Sequence, residues 1–266
     1  ADLSVGTVNR AMADLHERGF VREGMLSAAG LEALEPYRVK RAVLIAAGFG
    51  SRLVPITLNT PKPLIRVQGR RIIDSLLDAV YAAGIEEVYV VCGYLAEQFD
   101  QLLYKYPGLK FIENPFYNEA NNISSAVAAK DLLQNAYVFE SDLLLYNPKL
   151  ITKYQYSSNY LGVPVQVTDD WCFQTRRGVI TGLSVGGTDC HHMFGISYWT
   201  EEDGRKLADD VPATFAMPGG KERYWDEVAL RYFARNYEVV VRECTFDDVI
   251  EIDTYRELQE LDKAYV

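Results

Sequence analysis

The chain has 266 residues, of which 48% are apolar, and its formal net charge at neutral pH is -10. This length and apolar content suffice for one sizeable core with a small appendage, and they exclude the disordered and fibrous classes. The negative charge would repel a phosphate backbone, so it argues against a primary nucleic-acid role. Any polyanionic ligand must then be bound by local cations or by a metal ion.

The sequence carries no signal for secretion or for membrane insertion. No stretch approaches about 18 uninterrupted apolar residues, and the N-terminus lacks a basic segment followed by an apolar one. The four cysteines, Cys92, Cys172, Cys190 and Cys244, are widely spaced, which indicates free thiols rather than disulfides or structural zinc. We therefore predict a cytoplasmic protein without membrane association.

Residues 1–39 are predicted to form a separate helical appendage. Met12 and Leu15 fall at helical spacing and are assigned to its core. The stretch 4–21 resembles the recognition helix of a winged helix-turn-helix domain, and 24–37 resembles its wing and following helix. Because the upstream helices of such a domain are absent, we interpret the segment as a partial remnant; a helical pair packed on the main body explains it equally well. DNA binding is not expected of this chain, although a longer form with a complete domain could bind DNA.

From residue 42 onward, short β-branched runs alternate with amphipathic segments. Runs at 42–48 and 86–93 flank a helical pattern at 72–84, and the alternation continues to Asp142. This predicts an α/β fold for residues 40–266, with a Rossmann-like, mostly parallel mixed sheet that binds ligands at the carboxyl ends of its strands.

After Pro148 the pattern changes. The segments 161–167 and 178–187 alternate like antiparallel strands, and they predict a small antiparallel lid over the site. Helical patterns follow at 222–235 and 254–264.

The loop at 46–67 is the most informative stretch. Gly48 and Gly50 permit a sharp turn that brings backbone N–H groups close to an anion, and Arg52 can offer a bidentate fork to phosphate oxygens. Pro55 and Pro61 stiffen this long loop, so Lys62 is an aimed cation rather than a solvated one.

This loop, IAAGFGSRLVPITLNTPKPL, resembles the signature LAAGxGxRLxPxTxxxPKxL of the nucleotidyltransferase superfamily. The resemblance covers roughly residues 41 to 262 and agrees with the α/β fold derived above. It implies that the glycine turn holds the β- and γ-phosphates of a nucleoside triphosphate and that the lysine contacts the phosphate undergoing substitution. The residues so assigned are Ala47, Gly48, Gly50 and Ser51 for nucleotide binding and Arg52 and Lys62 for catalysis.

Acidic residues at two strand ends are candidates for a magnesium site. Asp142 ends a strand at the edge where the phosphate loop also lies, and Asp253 precedes the last helix, with Glu251 on the same strand face. In the superfamily the first strand end carries a DxD-like motif, of which Glu140 departs from the pattern and Asp142 matches. Mg²⁺ takes one or two carboxylates and completes its shell with phosphate oxygens, so we predict Mg²⁺ as the cofactor of Asp142, Asp253 and Glu251. The alternative for Asp253 is a helix N-cap.

Two polar clusters follow other strands and are candidates for the base pocket. Asn122 and Ser124 fall at a predicted helix N-terminus, where capping alone would need only one such residue. Gly93 and Tyr94 come directly after a strand and are candidates for the wall of the pocket.

Aromatic residues of the later half are candidates for the acceptor pocket. A quaternary ammonium lacks N–H donors, so proteins recognise it with aromatic faces and a nearby carboxylate. Trp171, Trp199, and Tyr224 with Asp226 meet these requirements, whereas Trp225 lies on an apolar helical stripe and is assigned to the core.

Several shorter motifs together resemble the bacterial choline-phosphate cytidylyltransferases: GYLAEQFD at 93–100, an Asn-Asn pair, SYW at 197–199, YWD at 224–226 and EID at 251–253. The resemblance implies transfer of CMP from CTP to phosphocholine, with a choline cage of Trp171, Tyr224 and Asp226. A sugar-1-phosphate or aminoethylphosphonate nucleotidyltransferase is the alternative. An alternative of another class is a DNA-binding regulator that senses a nucleotide or a choline metabolite.

Overall fold

The computed structural model describes residues 4–266, and the chain divides into two compact units, Ala1–Arg38 and Val39–Val266. This division falls one residue before the boundary expected from the sequence. The first unit contains a helix, a two-stranded hairpin and a second helix: α1 (Val5–Glu17), β1 (Val21–Arg22), β2 (Met25–Leu26) and α2 (Ala28–Leu34).

Side-chain capping explains where the helices of the first unit begin. Ser4 accepts a hydrogen bond from the backbone N–H of Thr7 at the start of α1, and Ser27 caps α2 in the same way. The assignment of Met12 to a core is wrong, because its side chain is 38% exposed and α1 has no buried residue over its described length. The winged-helix interpretation stays a prediction.

The second unit is built on a mixed seven-stranded sheet and two small antiparallel pairs. Its strands are β3 (Arg41–Ile45), β4 (Arg66–Val67), β5 (Arg70–Arg71), β6 (Glu87–Cys92), β7 (Lys110–Glu113), β8 (Ala136–Glu140), β9 (Leu143–Leu145), β10 (Asn159–Arg176), β11 (Val179–Trp199), β12 (Val240–Glu243) and β13 (Val249–Glu251). The main sheet has the order β10-β12-β11-β8-β3-β6-β7, while β4 pairs with β5 and β9 with β13.

The centre of the main sheet is parallel, as predicted. β3 lies parallel to both β6 and β8, and β7 extends the parallel half. β11 runs antiparallel to β8 and makes the sheet mixed. The antiparallel lid segments belong to the long hairpin β10–β11, whose base joins the main sheet and whose far part curves through several register shifts.

Helices cover both faces of the sheet: α3 (Ile72–Ala82), α4 (Ile123–Ala128), α5 (Glu201–Ala216) and α6 (Tyr255–Leu261). The expected helix at 222–235 is instead a set of short turns, of which Val228–Tyr232 is π-helical. The sequence pattern does not predict α5, because Gly204 and Pro212 interrupt its helical signal.

Two apolar clusters pack on opposite faces of the sheet. Consecutive side chains of a strand point to opposite faces, so Leu44 packs with α3 while Ile45 packs with the side of α5. Trp225 lies in the second cluster, as predicted. Among residues 4–266, the structure contains no helix whose length and apolar character would allow it to span a membrane.

Candidate active site

A cavity of about 480 Å³ opens at the carboxyl ends of β3 and β8. The phosphate loop forms one side, the N-terminal end of α4 forms another, and the hairpin β10–β11 closes it. This is the edge at which open α/β sheets bind ligands. Its volume suits a ligand the size of a nucleotide.

The phosphate loop leaves β3 and folds back on itself. Gly50 has a φ of +62°, and a Cβ placed on it would lie 3.0 Å from Lys62 Cβ and 3.0 Å from Thr57 Cγ2. Thr57 Oγ1 also donates a hydrogen bond to the Gly50 carbonyl at 2.9 Å. A side chain at residue 50 would therefore be strained and crowded, and its absence lets Lys62 pack against the turn.

Lys62 points from this loop into a group of carboxylates. Its Nζ lies 2.9 Å from Asp142 Oδ2 and 3.2 Å from Asp253 Oδ1, and the side chain is only 10% exposed. Burial alone would lower the pKa of Lys62, but the charges of Asp142 and Asp253 outweigh it and raise that pKa. Lys62 is thus a protonated, fixed cation at neutral pH.

Arg52 reaches the same cluster from the other side. Its Nη1 and Nη2 donate to Asp253 Oδ2 and Oδ1 at 2.8 and 2.7 Å. This bidentate pair fixes Asp253 between Arg52 and Lys62. Both cations assigned to phosphate binding therefore lie in the cavity, paired with carboxylates.

The three predicted metal ligands come together. One oxygen of each of Asp142, Glu251 and Asp253 lies within 4.8 Å of the others. Asp142 Oδ1 is buried and has no hydrogen-bond partner among the described residues. Burial and repulsion by Asp142 and Asp253 raise the pKa of Glu251 well above its usual value. An unsatisfied carboxylate oxygen inside such a cluster fits a divalent cation.

The structure also removes the alternative role of Asp253. The residue that caps α6 is Thr254, whose side chain accepts from the backbone N–H of Glu257, while Glu257 completes a capping box. Asp253 is not the N-cap, so its carboxylate is available to the site.

Asn122 and Ser124 line the cavity as expected, but their polar atoms already have protein partners. Asn122 Nδ2 donates to Glu140 Oε1 at 2.9 Å, and its Oδ1 accepts from the backbone N–H of Trp225 at 2.9 Å. Ser124 Oγ accepts from Asn114 Nδ2 at 2.9 Å. Asn122 therefore connects two walls of the cavity.

The placement of Gly93 and Tyr94 in the pocket wall needs correction, because both lie behind it. A Cβ on Gly93 would meet Tyr117 Cβ at 2.5 Å, so the glycine makes room for that ring. The Tyr94 ring packs against Phe49 with 4.9 Å between centroids, and its hydroxyl donates to the Leu58 carbonyl at 3.2 Å. Phe49 and Tyr117 themselves face the cavity, and they are visible in the sequence only as ordinary loop aromatics.

Three of the predicted acceptor residues lie in the same cavity. The rings of Trp171 and Tyr224 meet edge to face with 5.4 Å between centroids. Asp226 is 4% exposed, and its Oδ1 accepts a hydrogen bond from the Tyr160 hydroxyl at 2.5 Å. Burial raises the pKa of Asp226 to about 7.

Trp199 does not belong to this group. Its side chain is 0% exposed, its Nε1 donates to Ser197 Oγ at 3.0 Å, and its ring packs against Tyr160 and Trp225 in the core. We therefore correct its assignment to the acceptor pocket. The SYW motif stands on β11, and strand alternation directs its tryptophan to the covered face.

The sequence interpretation missed other cavity residues. Asp170 lines the cavity beside Trp171 and accepts from the backbone N–H of that residue at 2.6 Å. Glu140, set aside as a mismatch to the superfamily motif, faces the cavity, and burial and the charge of Asp226 raise its pKa. The position of Glu140 at the end of a central strand is the sequence signal that could have identified it as a cavity residue.

The fold and the cavity define a nucleotidyltransferase, and the comparisons agree: the model of the MobA-like NTP transferase domain matches residues 42–171. A 2-aminoethylphosphonate cytidylyltransferase of Lancefieldella rimae is 35% identical over 229 residues, which are 85% of this chain and 93% of that protein. A choline-phosphate cytidylyltransferase of Streptococcus pneumoniae is 28% identical over 83% of this chain and 97% of its own length.

A solved structure of CTP:phosphocholine cytidylyltransferase from Streptococcus pneumoniae superimposes with a TM-score of 0.78 at 28% identity, covering 86% of this chain and all of that one. The chain therefore belongs to the cytidylyltransferase family of these nucleotidyltransferases.

Proposed function

We propose that this protein transfers CMP from CTP to a small phosphate or phosphonate that carries an ammonium group. Phosphocholine and 2-aminoethylphosphonate are the two candidates, and both occur in the names of similar proteins. The observation that carries the proposal is the position of Trp171, Tyr224 and the buried Asp226 in the same cavity as Lys62. Aromatic rings beside a carboxylate attract a cation, whereas a sugar phosphate would call for hydroxyl-binding groups.

The reaction forms one bond and breaks another at the α-phosphorus of CTP. An oxygen of the acceptor phosphate or phosphonate attacks that phosphorus, and the bond to the bridging oxygen of the β-phosphate breaks, so that pyrophosphate leaves with the electron pair. Lys62 and Arg52 would stabilise the charge that builds up on the phosphate oxygens. Such positioned cations supply most of the catalysis in phosphate transfer, because no strong general base is required.

The binding of CTP requires the cations of the site to exchange partners. In the structure Arg52 and Lys62 are paired with Asp253 and Asp142. We propose that Asp142, Asp253 and Glu251 bind Mg²⁺, which would neutralise the triphosphate and orient it. Arg52 and Lys62 then remain close enough to turn toward the nucleotide phosphates.

The acceptor end can be tested by removing one ring at a time. We expect Trp171→Ala and Tyr224→Ala to raise the acceptor KM by roughly tenfold to thirtyfold and to leave the KM for CTP nearly unchanged. The ammonium group lies remote from the reacting phosphorus, so these rings should stabilise the ground and transition states alike.

Pyrophosphate release with a panel of substrates tests the whole proposal. The purified protein would be assayed with each of four nucleoside triphosphates against phosphocholine, 2-aminoethylphosphonate and several sugar 1-phosphates. We expect turnover with CTP and an ammonium-bearing acceptor. Turnover with a sugar 1-phosphate alone would contradict the proposal and support the sugar-nucleotide alternative.

A further inference from the structure

We infer that the acceptor carries a primary ammonium group, and that Glu140 together with Asp226 recognises it by accepting its N–H bonds. This inference rests on the proposed function and narrows its acceptor class. It depends on two carboxylates of the cavity wall, the buried Asp226 and the partly buried Glu140, which form no ion pair with a cationic side chain among residues 4–266.

Asp226 is the first of these carboxylates. Tyr160 donates to its Oδ1, and no other side chain among residues 4–266 makes a hydrogen bond to its Oδ2. The residue is 4% exposed and nevertheless lines the cavity. Because Asp226 lines the cavity, its carboxylate can accept a further hydrogen bond from a ligand bound there.

Glu140 is the second. Its Oε1 accepts from Asn122 Nδ2 at 2.9 Å, and the rest of the side chain lies directly over Gly195 of β11. A Cβ on Gly195 would come within 2.6 Å of Glu140 Cγ and 2.7 Å of Glu140 Cβ. The neighbouring strand thus leaves room for this side chain against the sheet, where it faces the cavity.

No positive side chain of the described residues pairs with either carboxylate. Within the range 4–266, no ion pair reaches Glu140 or Asp226, while Lys62 is engaged with Asp142 and Asp253. Uncompensated buried charges are strongly unfavourable, and an opposite charge with good hydrogen-bond geometry relieves them. A ligand cation between Glu140 and Asp226 would supply that charge.

The hydrogen-bonding capacity of this pair distinguishes a primary from a quaternary ammonium. A primary ammonium has three N–H donors, so it can bond to both carboxylates at once and still face the Trp171 and Tyr224 rings. A trimethylammonium has no N–H, so it would cover both carboxylates with methyl groups and donate no hydrogen bond to either. The aromatic pair serves either cation and does not discriminate.

A series of acceptors that differ only in methylation tests the inference on the unaltered protein. Phosphoethanolamine and its N-methyl, N,N-dimethyl and N,N,N-trimethyl derivatives would be compared by kcat/KM with saturating CTP. We expect kcat/KM to fall with each added methyl group, by roughly a hundredfold or more over the whole series, since each methyl group removes one N–H donor. If phosphocholine equalled or exceeded phosphoethanolamine, the inference would be overturned while the proposed function stood. If neither a member of the series nor 2-aminoethylphosphonate supported turnover, the proposed function itself would fail.

Variants assign the selectivity to the two carboxylates. Glu140→Gln and Asp226→Asn should each lower kcat/KM for phosphoethanolamine roughly 30- to 100-fold and change that for phosphocholine much less, so that the preference collapses. Glu113→Gln, on the outer strand β7, is the matched control and should keep the preference. Mg²⁺ titrations of Glu140→Gln would detect an indirect effect through Asp142. An unchanged preference in both folded variants would refute the role of the pair.

Discussion

Lys62 and Asp142 form a partly buried ion pair, 2.9 Å long, that joins the phosphate loop to the end of the central strand β8. The two residues are far apart in the sequence and come from the two elements that carry phosphate and metal chemistry in the proposed mechanism. The pair therefore holds a cation and a metal-ligand candidate in register before any substrate binds. Replacing Lys62 should therefore affect both turnover and thermal stability, and the two effects can be measured separately.

Replacing Lys62 with alanine should lower turnover roughly a hundredfold to a thousandfold, because a preorganised cation at the reacting phosphate is lost. It should also leave Asp142 and Asp253 without their shared cation. In the absence of Mg²⁺, we therefore expect Lys62→Ala to have a lower Tm than the unaltered protein. Adding Mg²⁺ should raise the Tm of Lys62→Ala more than it raises that of the unaltered protein. Steady-state kinetics and thermal unfolding measure the two effects. Lys149→Ala, at an exposed position, is the control, and normal turnover in folded Lys62→Ala would contradict the assignment.

Asp142→Asn and Asp253→Asn should each raise the Mg²⁺ concentration for half-maximal activity by about tenfold or more, since each removes one anionic ligand with little change of shape. The two variants should not behave identically, because Asp253 also forms an ion pair with Arg52, whereas Asp142 does not. Mg²⁺ titrations at fixed CTP measure this shift. The exposed Asp131→Asn serves as the control. Identical titration curves for all three variants would contradict the assignment of Asp142 and Asp253 to a metal site.

Asp226 should make both stability and acceptor binding depend on pH. Burial raises its pKa from 3.8 to about 7, so the folded state binds this proton more tightly than the unfolded chain does. The resulting loss of stability begins above the unfolded pKa, grows as pH rises toward about 7, and is complete beyond it. Asp226→Asn should thus raise the free energy of unfolding by on the order of 2 kcal/mol at about pH 8 and change it little at about pH 4. Urea unfolding at the two pH values measures this difference.

The same titration predicts the opposite effect on function. An ammonium acceptor favours ionised Asp226, so its KM should rise as pH falls below about 7 in the unaltered protein. In Asp226→Asn this rise should be smaller. A variant that is no more stable at high pH, together with an unchanged pH profile for the acceptor KM, would show that Asp226 is not the titrating group.

Gly195→Ala should impair the acceptor site without altering any charge. The new methyl group would lie 2.7 Å from Glu140 Cβ, which side-chain rotation cannot move, so β8 and β11 must shift apart and carry the Glu140 carboxylate with them. We expect the KM of an ammonium-bearing acceptor to rise about tenfold or more. Gly182→Ala is a control on the same strand, because a Cβ there would meet only the Gln174 side chain, at ordinary distances of 3.6 Å to its Cβ and 3.9 Å to its Cγ. Equal behaviour of the two alanine variants would refute the positioning of Glu140 by Gly195.

Deleting residues 1–38 should leave cytidylyl transfer largely intact, because every candidate site residue lies in the second unit. Pyrophosphate release by the shortened chain, compared with the full chain at equal folded concentration, measures this. A loss of turnover in folded, shortened protein would show that the first unit contributes to the site.

The sequence predicted the parts of the site that lie in one contiguous loop or at a strand end. Lys62, Arg52 and Asp142 were found because a glycine turn, two prolines and a strand boundary are local signals. The direction of a side chain on a curved strand is not local. Trp199 lies on the same hairpin as the pocket, but the register and alternation of β11 direct it to the core.

Other differences arise from packing between distant segments. Gly93 looked like a pocket residue because it follows a strand, yet its function is to admit the Tyr117 ring. Glu140 was set aside on its residue type, whereas its role depends on the gap left by Gly195 on another strand. Tyr160, which donates to Asp226, carries no motif at all. Such pairings depend on tertiary contacts that no periodicity in the sequence encodes.

The pairing of β9 with β13 has a consequence for synthesis of the chain. The backbone N–H of Ile252 donates to the Asp142 carbonyl at 3.1 Å, next to the Leu143–Glu251 pair, and this places Glu251 and Asp253 beside Asp142. A nascent chain still on the ribosome would have its glycine loop, Lys62 and Asp142 long before it had Glu251 and Asp253. It could not complete the carboxylate cluster until those residues emerged and docked. An unfinished chain therefore lacks two of the three metal-ligand candidates.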